Sequence, residues 1–158
     1  MNAVARDEFS AMRPAALGAV TIGSCDDTEQ IVVRAMDVVQ LSGFARAVRP
    51  IFDDVAAMLS GEGDAASILG LIEHKVDAVI DALSEATLPH RKGEAPDQRD
   101  ARLAERREIL RITPIDGLGE LLLAVLGANK DFLRGRLTAA LRTAATLNLG
   151  AGQTPSRP

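Results

Sequence analysis

Residues 113–137 read TPIDGLGELLLAVLGANKDFLRGRL, an apolar segment that becomes polar at Asn129 and basic after it. Apolar residues recur here at the spacing of one helix face, namely Leu118, Leu121, Leu122, Val125 and Leu126. The same spacing continues through Asn129, Phe132, Leu133, Leu137, Ala140, Leu141 and Ala144. Two readings stay open: one continuous helix with Asn129 as a buried polar group, or a helix that Gly127 ends before Asn129 caps the next. Either reading makes Phe132 a buried anchor.

The start of this segment carries the signals of a helix N-terminus. Thr113 is the expected N-cap, Pro114 the first helical residue and Asp116 the capping-box partner. The most apolar run, Leu121–Leu126, ends at Gly127, far short of the roughly 18 apolar residues that a membrane span requires. We therefore expect no membrane partner.

Two further elements are predicted before residue 60. The runs AVTIG (19–23) and QIVVR (30–34) are rich in β-branched residues and flank a polar turn, which predicts a β-hairpin. Asp37 is the expected N-cap of a following helix. Pro50 either kinks that helix near Arg49 or lies in the first turn of a second helix. The predicted apolar face is Leu41, Phe44, Val48, Ile51, Phe52, Val55 and Leu59.

Residues 64–111 predict two more helices. Asp64 is the expected N-cap of the first, whose apolar face is Leu69, Ile72, Val76, Val79, Ile80 and Leu83. Residues 88–98 have the proline, glycine and charge content of a linker. Residues 97–111 mix arginines with acidic residues, which predicts a solvated helix with ion pairs inside its own turns.

Together these patterns predict a mainly α protein, a small helical domain of about five helices with an N-terminal β-hairpin. The domain is expected to span residues 19–148, after a flexible arm at 1–18 and before a disordered tail at 149–158. A chain of 158 residues buries enough surface to fold without a metal or a disulfide. The single cysteine, Cys25, excludes an internal disulfide and is typical of a reducing cytoplasm.

The motifs argue against catalysis. No stretch has the spacing of a phosphate-binding loop or of a dinucleotide fingerprint. His74 and His90 are the only histidines and lie far apart in the sequence, so no metal-ligand pattern is present. We expect both on the surface. The sequence therefore predicts no enzyme, no cofactor and no metal site.

The charge and aromatic content bear on nucleic-acid binding. The net charge is −4, and the chain has no tryptophan and no tyrosine. Neither a bulk attraction for polyanions nor base stacking is expected from such a composition. The acidic excess lies in residues 1–79, whereas residues 80–158 carry a small basic excess. A DNA-binding role through residues 99–111 stays open only as an alternative.

Several segments, in this order, resemble the tail assembly chaperones of Mu-like tailed bacteriophages, also called pre-tape-measure proteins. They are QLSGFARAVRPIFDDV (40–55), LIEHKVDAVIDALSEAT (71–87) and the opening segment 113–137, all after a short hairpin. In that family a Phe-Ala-Arg-Ala-x-x-Pro segment lies in the helix after the hairpin, similar to residues 44–50 here. A leucine-rich helix there ends in Asn-x-Asp-Phe, similar to residues 129–132 here.

The resemblance implies a non-enzymatic role. Such chaperones bind the long tape measure protein in the host bacterial cytoplasm, keep it soluble during tail-tube assembly and are absent from the mature virion. Contacts with the tail-tube protein and self-association stay open, and neither nucleic acid nor membrane is an expected partner. The expected partner-binding residues are Phe44, Arg46, Arg49, Asn129, Asp131, Phe132 and Arg136. The alternatives are a structural or connector component of a phage tail and a small helical DNA-binding regulator.

Overall fold

The computed structural model of the chain describes residues 18–24, 27–136 and 139. Over these residues a β-hairpin is followed by a series of helices, so the predicted mainly α fold is confirmed. The elements are β1 (Gly18–Ser24), β2 (Asp27–Val33), α1 (Val38–Ala47), α2 (Phe52–Ser60), α3 (Ala65–Thr87), α4 (Pro96–Arg111) and α5 (Ile115–Ala128). Residues 130–136 and 139 are helical as well.

Some predictions concern residues outside this description. They are the N-terminal arm apart from Gly18, the C-terminal tail, Cys25, and the continuation of the last apolar face through Leu137, Ala140, Leu141 and Ala144. Gly18 itself begins β1 rather than ending an arm.

The hairpin has the predicted place in the chain, with strands longer than the two apolar runs. The strands are antiparallel, and Gly18 pairs with Val33 at the open end. Ile31 and Val33 are buried, whereas Val32 between them is exposed, as the alternation of a strand requires. The buried face packs on α3 and α5, which supplies the apolar cover that a two-stranded sheet needs.

Helix α1 begins at the predicted cap. Asp37 Oδ1 accepts a hydrogen bond from Gln40 N at 2.8 Å, and Gln40 Oε1 accepts one from Asp37 N at 3.0 Å, which is a capping box. Helix α1 ends at Ala47, a 3-10 turn follows at Arg49–Ile51, and α2 begins at Phe52. Pro50 therefore lies in the first turn of a new helical segment, the second of the two readings.

Helix α3 is the centre of the fold and corrects one prediction. Asp64 caps it as expected, accepting from Ser67 N at 2.8 Å. Leu69 and Val76, however, are 37% and 40% exposed. Lys75 has non-helical angles (φ −139°, ψ 39°) and interrupts the helical period between the two halves of α3. Helix α3 packs against α1, α4 and α5, and the buried face of its second half is wider than one stripe, with Val79, Ile80, Ala82, Leu83 and Ala86 in the core.

Helix α4 begins inside the predicted linker and is not simply solvated. Leu103 and Leu110 are buried in it. Its arginines mostly pair with acidic groups on other elements, so the predicted ion pairs within its own turns are wrong for all but Arg111 with Glu108. The other pairs are Arg99–Glu85 (3.0 Å), Arg106–Glu29 (2.9 Å), Arg107–Asp81 (2.6 Å) and Arg102–Glu94.

Helix α5 buries the face that the opening segment predicted, from Leu118 to Leu126. Its start differs from the prediction, because Pro114 is the N-cap residue and no side chain caps the helix. Thr113 Oγ1 instead donates to Ile109 O at 2.9 Å, which satisfies a carbonyl at the end of α4. The buried Thr113 hydroxyl thus ends one helix rather than starting the next.

Candidate functional site

An apolar groove of about 500 Å3 lies between α1, the turn Arg49–Ile51, α2 and helical residues 133–136. Arg49 and Arg136 are its charged lining residues. Its apolar lining is Val38, Leu41, Phe44, Ala45, Val48, Phe52, Val55 and Leu133. The groove is therefore an apolar channel with guanidinium groups beside it.

The groove leaves apolar side chains in contact with solvent. Val38, in the first turn of α1, is 83% exposed, and Leu41 and Phe52 are only partly buried. Phe44, Val48 and Val55 form the deep part, since each is buried in the core. An apolar groove with charged residues at its margin is the kind of surface that receives the apolar face of a helix.

The side of the groove opposite α1 is held in place by contacts of residues 130–136. Leu133 is buried in the core, and its N–H donates to Asn129 O at 2.9 Å. Arg134 Nε donates to Leu59 O at 2.9 Å, at the end of α2. These contacts position Arg136 over the groove.

Asn129 is a buried polar group with hydrogen-bond partners, as the first reading has it, but the helix is not continuous through this residue. Gly127 does not end α5, which runs to Ala128, and the Asn129 side chain does not cap the following helical residues. Instead Asn129 is 6% exposed, its Oδ1 accepts from Met36 N at 2.8 Å, and its Nδ2 donates to Val125 O at 2.9 Å. Its backbone departs from the helix (φ −117°, ψ 11°), so the polar side chain is buried with its partners at a break between two helical segments.

The structure brings three of the predicted partner-binding residues to this groove. Phe44 lies at its base, and Arg49 and Arg136 line it. Phe44 is only 1% exposed, so it shapes the groove rather than projecting from it. Phe44 therefore belongs to the core, whereas Arg49 is exposed at the groove.

The remaining predicted residues do not line the groove. Arg46 is exposed on α1 and borders a neighbouring cavity, Asp131 is exposed, and Asn129 is buried against Met36. The prediction of a buried Phe132 is wrong, because that ring is 45% exposed and lies 5.5 Å from the Arg136 guanidinium carbon. The break at Asn129 rotates the following residues, so that Leu133 rather than Phe132 enters the core.

Other groove residues were not singled out from the sequence. Leu41, Val48, Phe52 and Val55 were all assigned to one core face of a helix. The turn at Arg49–Ile51 divides that face between α1 and α2 and leaves a gap between them. The one signal in the sequence was the width of this apolar face, because it is wider than the face that a single helix buries.

The charge beside the groove is basic. Arg46, Arg49 and Arg136 form no ion pair with the residues that the structure describes. Asp53 and Asp54 are exposed in the first turn of α2 and do not line the groove. A bound partner with acidic side chains along its apolar face would therefore meet unpaired guanidinium groups.

Among the residues that the structure describes, two carboxyl groups have clearly shifted pKa values, and both lie away from the groove. The Arg102 guanidinium donates to Glu94 and lowers the pKa of that carboxyl, against the opposing effect of burial. The Ser67 hydroxyl and backbone N–H lower the pKa of Asp64 at the start of α3. Each shift results from a cap or loop contact, which is structural rather than catalytic.

His74 and His90 are exposed, as predicted. Residues 18–24, 27–136 and 139 contain no group of three histidine, cysteine or acidic side chains placed to hold a metal ion. No helix in that part of the chain is both long enough and apolar enough to cross a membrane.

Comparison with family models, with curated proteins and with solved structures gave no match to this chain. The resemblance to tail assembly chaperones therefore stays a prediction from the sequence.

Proposed function

We propose that this chain binds an amphipathic helix of another protein in the groove between α1 and α2. The observation that carries the proposal is the groove itself, an open apolar channel of about 500 Å3 beside Arg49 and Arg136. Helix-in-groove recognition uses apolar side chains spaced three and four residues apart on the bound helix. Acidic residues at the edges of that helix face would pair with the guanidinium groups.

The partner that we propose is a phage tape measure protein. The resemblance to tail assembly chaperones supports this choice, and so does the chemistry of the partner, since a long helical chain with exposed apolar faces aggregates unless they are covered. The chain would then act without catalysis or a cofactor, in the cytoplasm of the infected bacterium. The chain would dissociate from the tape measure protein before the virion matures. It would also contact the tail-tube protein or a second copy of itself during assembly.

The alternatives have weaker support. The alternative DNA-binding role was placed in residues 99–111, but Arg99, Arg102, Arg106 and Arg107 each pair with a carboxylate outside α4. Guanidinium groups neutralised in this way contribute little to phosphate binding. The composition of purified virions distinguishes a structural role in the tail from a chaperone role. A tail component is present in them, and a chaperone is absent.

Co-expression with the tape measure protein tests the proposal. That protein is expected to be encoded by a long, helix-rich reading frame next to this one. The test variant is Ala45→Glu, which places a charged side chain at the lining of the groove, and Ala45 is exposed, so the larger side chain displaces no core residue. The matched control is Ala66→Glu, the same change at an exposed residue in the first turn of α3.

We expect the wild type and Ala66→Glu to keep the tape measure protein in the soluble fraction and to co-elute with it. We expect Ala45→Glu to lose at least most of that effect while it melts within a few degrees of the wild type. Equal solubilisation by all three chains, or none by the wild type, contradicts the proposal.

A further inference from the structure

A second cavity, of about 670 Å3, borders β2 and shares no lining residue with the groove. Gln30, Ile31 and Val32 all line it. Successive side chains of a strand point to opposite faces of the sheet, and Ile31 is buried whereas Gln30 and Val32 are exposed. Three consecutive residues border one cavity only when that cavity follows the edge of the strand.

The edge of β2 that borders this cavity has backbone N–H and C=O groups without a hydrogen-bond partner among the described residues. β2 pairs with β1 on one side, and every second residue of such a strand points its N–H and C=O away from its partner. Among the described residues, the backbone of Asp27–Val33 forms no hydrogen bond beyond the hairpin. An unpaired edge of this kind is a template for another strand.

The opposite side of the cavity is fixed in position. It consists of the end of α3 and the loop after it, including His90, Arg91 and Lys92. Gln40 Nε2 donates to Ala86 O at 2.8 Å, and His90 N donates to Asp37 Oδ2 at 3.3 Å. Both bonds join the loop side to α1 and its cap, so the space beside β2 exists before any ligand binds.

The charge around this space is mainly positive. Arg34, Arg91 and Lys92 line it and form no ion pair with any residue between 27 and 136. Arg106 lines it too and pairs with Glu29 at 2.9 Å. The acidic lining residue, Asp37, has both carboxylate oxygens occupied by backbone N–H groups.

We propose that β2 binds an extended peptide segment of a partner protein that carries acidic side chains, which adds to the hairpin as a third strand. The free edge would supply backbone hydrogen bonds, and Arg34, Arg91 and Lys92 would select for carboxylates. β2 ends at Val33, and residues 30–33 span roughly 13 Å at about 3.3 Å per residue, room to pair with about four residues of such a segment. This site is separate from the proposed helix-binding groove.

The test is fluorescence anisotropy with the full chain and a labelled, end-capped hexapeptide of alternating valine and glutamate. One control peptide has lysine in place of each glutamate. A second keeps the glutamates but is N-methylated at every second residue, which removes backbone donors without changing charge. We expect saturable binding of the glutamate peptide alone, with protection of the Gln30 and Val32 amides from hydrogen exchange.

Variants of the chain distinguish the effect of charge at the cavity on peptide binding from the effect of the net charge of the protein. We expect Arg34→Glu with Arg91→Glu to weaken binding by roughly five- to tenfold. Arg46→Glu with Lys130→Glu changes the net charge equally at exposed residues outside the cavity and should have less than a twofold effect. Ala45→Glu, in the other groove, should have none.

Several results would overturn the inference. Equal binding of the N-methylated and parent peptides would show that charge alone is recognised, and equal binding of the lysine peptide would remove the selectivity for acids. Absence of saturable binding, or equally effective competition by a short DNA duplex, would also contradict it.

Discussion

The Asn129 side chain accepts a hydrogen bond from the backbone N–H of Met36 at 2.8 Å, across 93 positions of the chain. Met36 lies just before α1, and Asn129 lies at the break before helical residues 130–136. These two segments form opposite sides of the α1–α2 groove. The buried Asn129 amide therefore joins the chain just before α1 to the chain just before helical residues 130–136.

The first prediction concerns Asn129→Ala. The substitution leaves the Met36 N–H and Val125 C=O without their partner, and we expect a loss of about 1–3 kcal/mol in the free energy of unfolding. The measurement is urea denaturation followed by circular dichroism. Lys130→Ala, at the exposed neighbouring residue, is the control and should change the free energy by less than about 0.5 kcal/mol. Equal effects of the two changes would mean that Asn129 is not a buried, bonded residue.

The second prediction compares Leu133→Ala with Phe132→Ala. Leu133 is 5% exposed, so its truncation leaves a cavity and should cost about 2–5 kcal/mol. Phe132 is largely in solvent, and its truncation should cost less than about 1 kcal/mol. Thermal melts of both variants measure this order. A greater loss for Phe132→Ala would place the aromatic ring in the core, as the sequence pattern alone predicted.

The third prediction concerns the ion pairs of α4. The Arg99 and Glu85 side chains are mostly buried and lie 3.0 Å apart, so a double-mutant cycle to alanine should give a coupling free energy of roughly 1–2 kcal/mol. The exposed pair Arg111–Glu108 is the control and should give about 0–0.5 kcal/mol. Coupling that is larger in the exposed pair would favour a helix stabilised by its own turns.

The fourth prediction concerns acid stability. Arg102 lowers the pKa of Glu94 from its ordinary value of 4.5, so the folded chain binds a proton at this carboxyl less readily than the unfolded chain. The stabilising contribution is fully present above about pH 4.5 and is lost as the pH falls through the lower, folded-state pKa.

Glu94→Gln tests that dependence. The urea midpoint of the variant should lie below that of the wild type at pH 7, and the gap should close on acidification below pH 4.5. Glu108→Gln, at an exposed carboxyl, should show no such convergence. A gap that stays constant from pH 7 to pH 3 would show that Glu94 has no lowered pKa.

Much of the fold follows from local signals in the sequence. The caps at Asp37 and Asp64 and the apolar face of α5 depend on residues a few positions apart, and the structure confirms each of them. The wrong predictions concern residues whose burial or backbone conformation depends on contacts with distant segments of the chain. Leu69 and Val76 were wrongly assigned to the core, because helical spacing does not show that Lys75 has non-helical backbone angles. The Lys75 Nζ donates to Pro50 O at 2.7 Å, a contact with a distant part of the chain.

The site was less predictable than the fold. Asn129 was identified as unusual because it breaks an apolar face, but its partner Met36 is far away in the sequence, so its role was not predictable. The groove results from a gap between α1 and α2, and its lining residues carry the same apolar pattern as any core residue. The arginines of α4 were assigned to pairs within the helix, and helical spacing gives no sign that most of their acidic partners lie outside α4.

Site-specific photo-crosslinking tests most directly the proposal that a helix of the tape measure protein occupies the α1–α2 groove. The photoreactive residue p-benzoylphenylalanine replaces Phe52, which lines the groove, or Leu123, which is exposed on α5 outside it. Each chain is co-expressed with the tape measure protein and irradiated. The account predicts a crosslink from position 52, mapped by mass spectrometry to an amphipathic helix with acidic residues beside its apolar face, and little or none from position 123. Crosslinking at position 123 alone, or at neither position in a complex that still co-elutes, would contradict it.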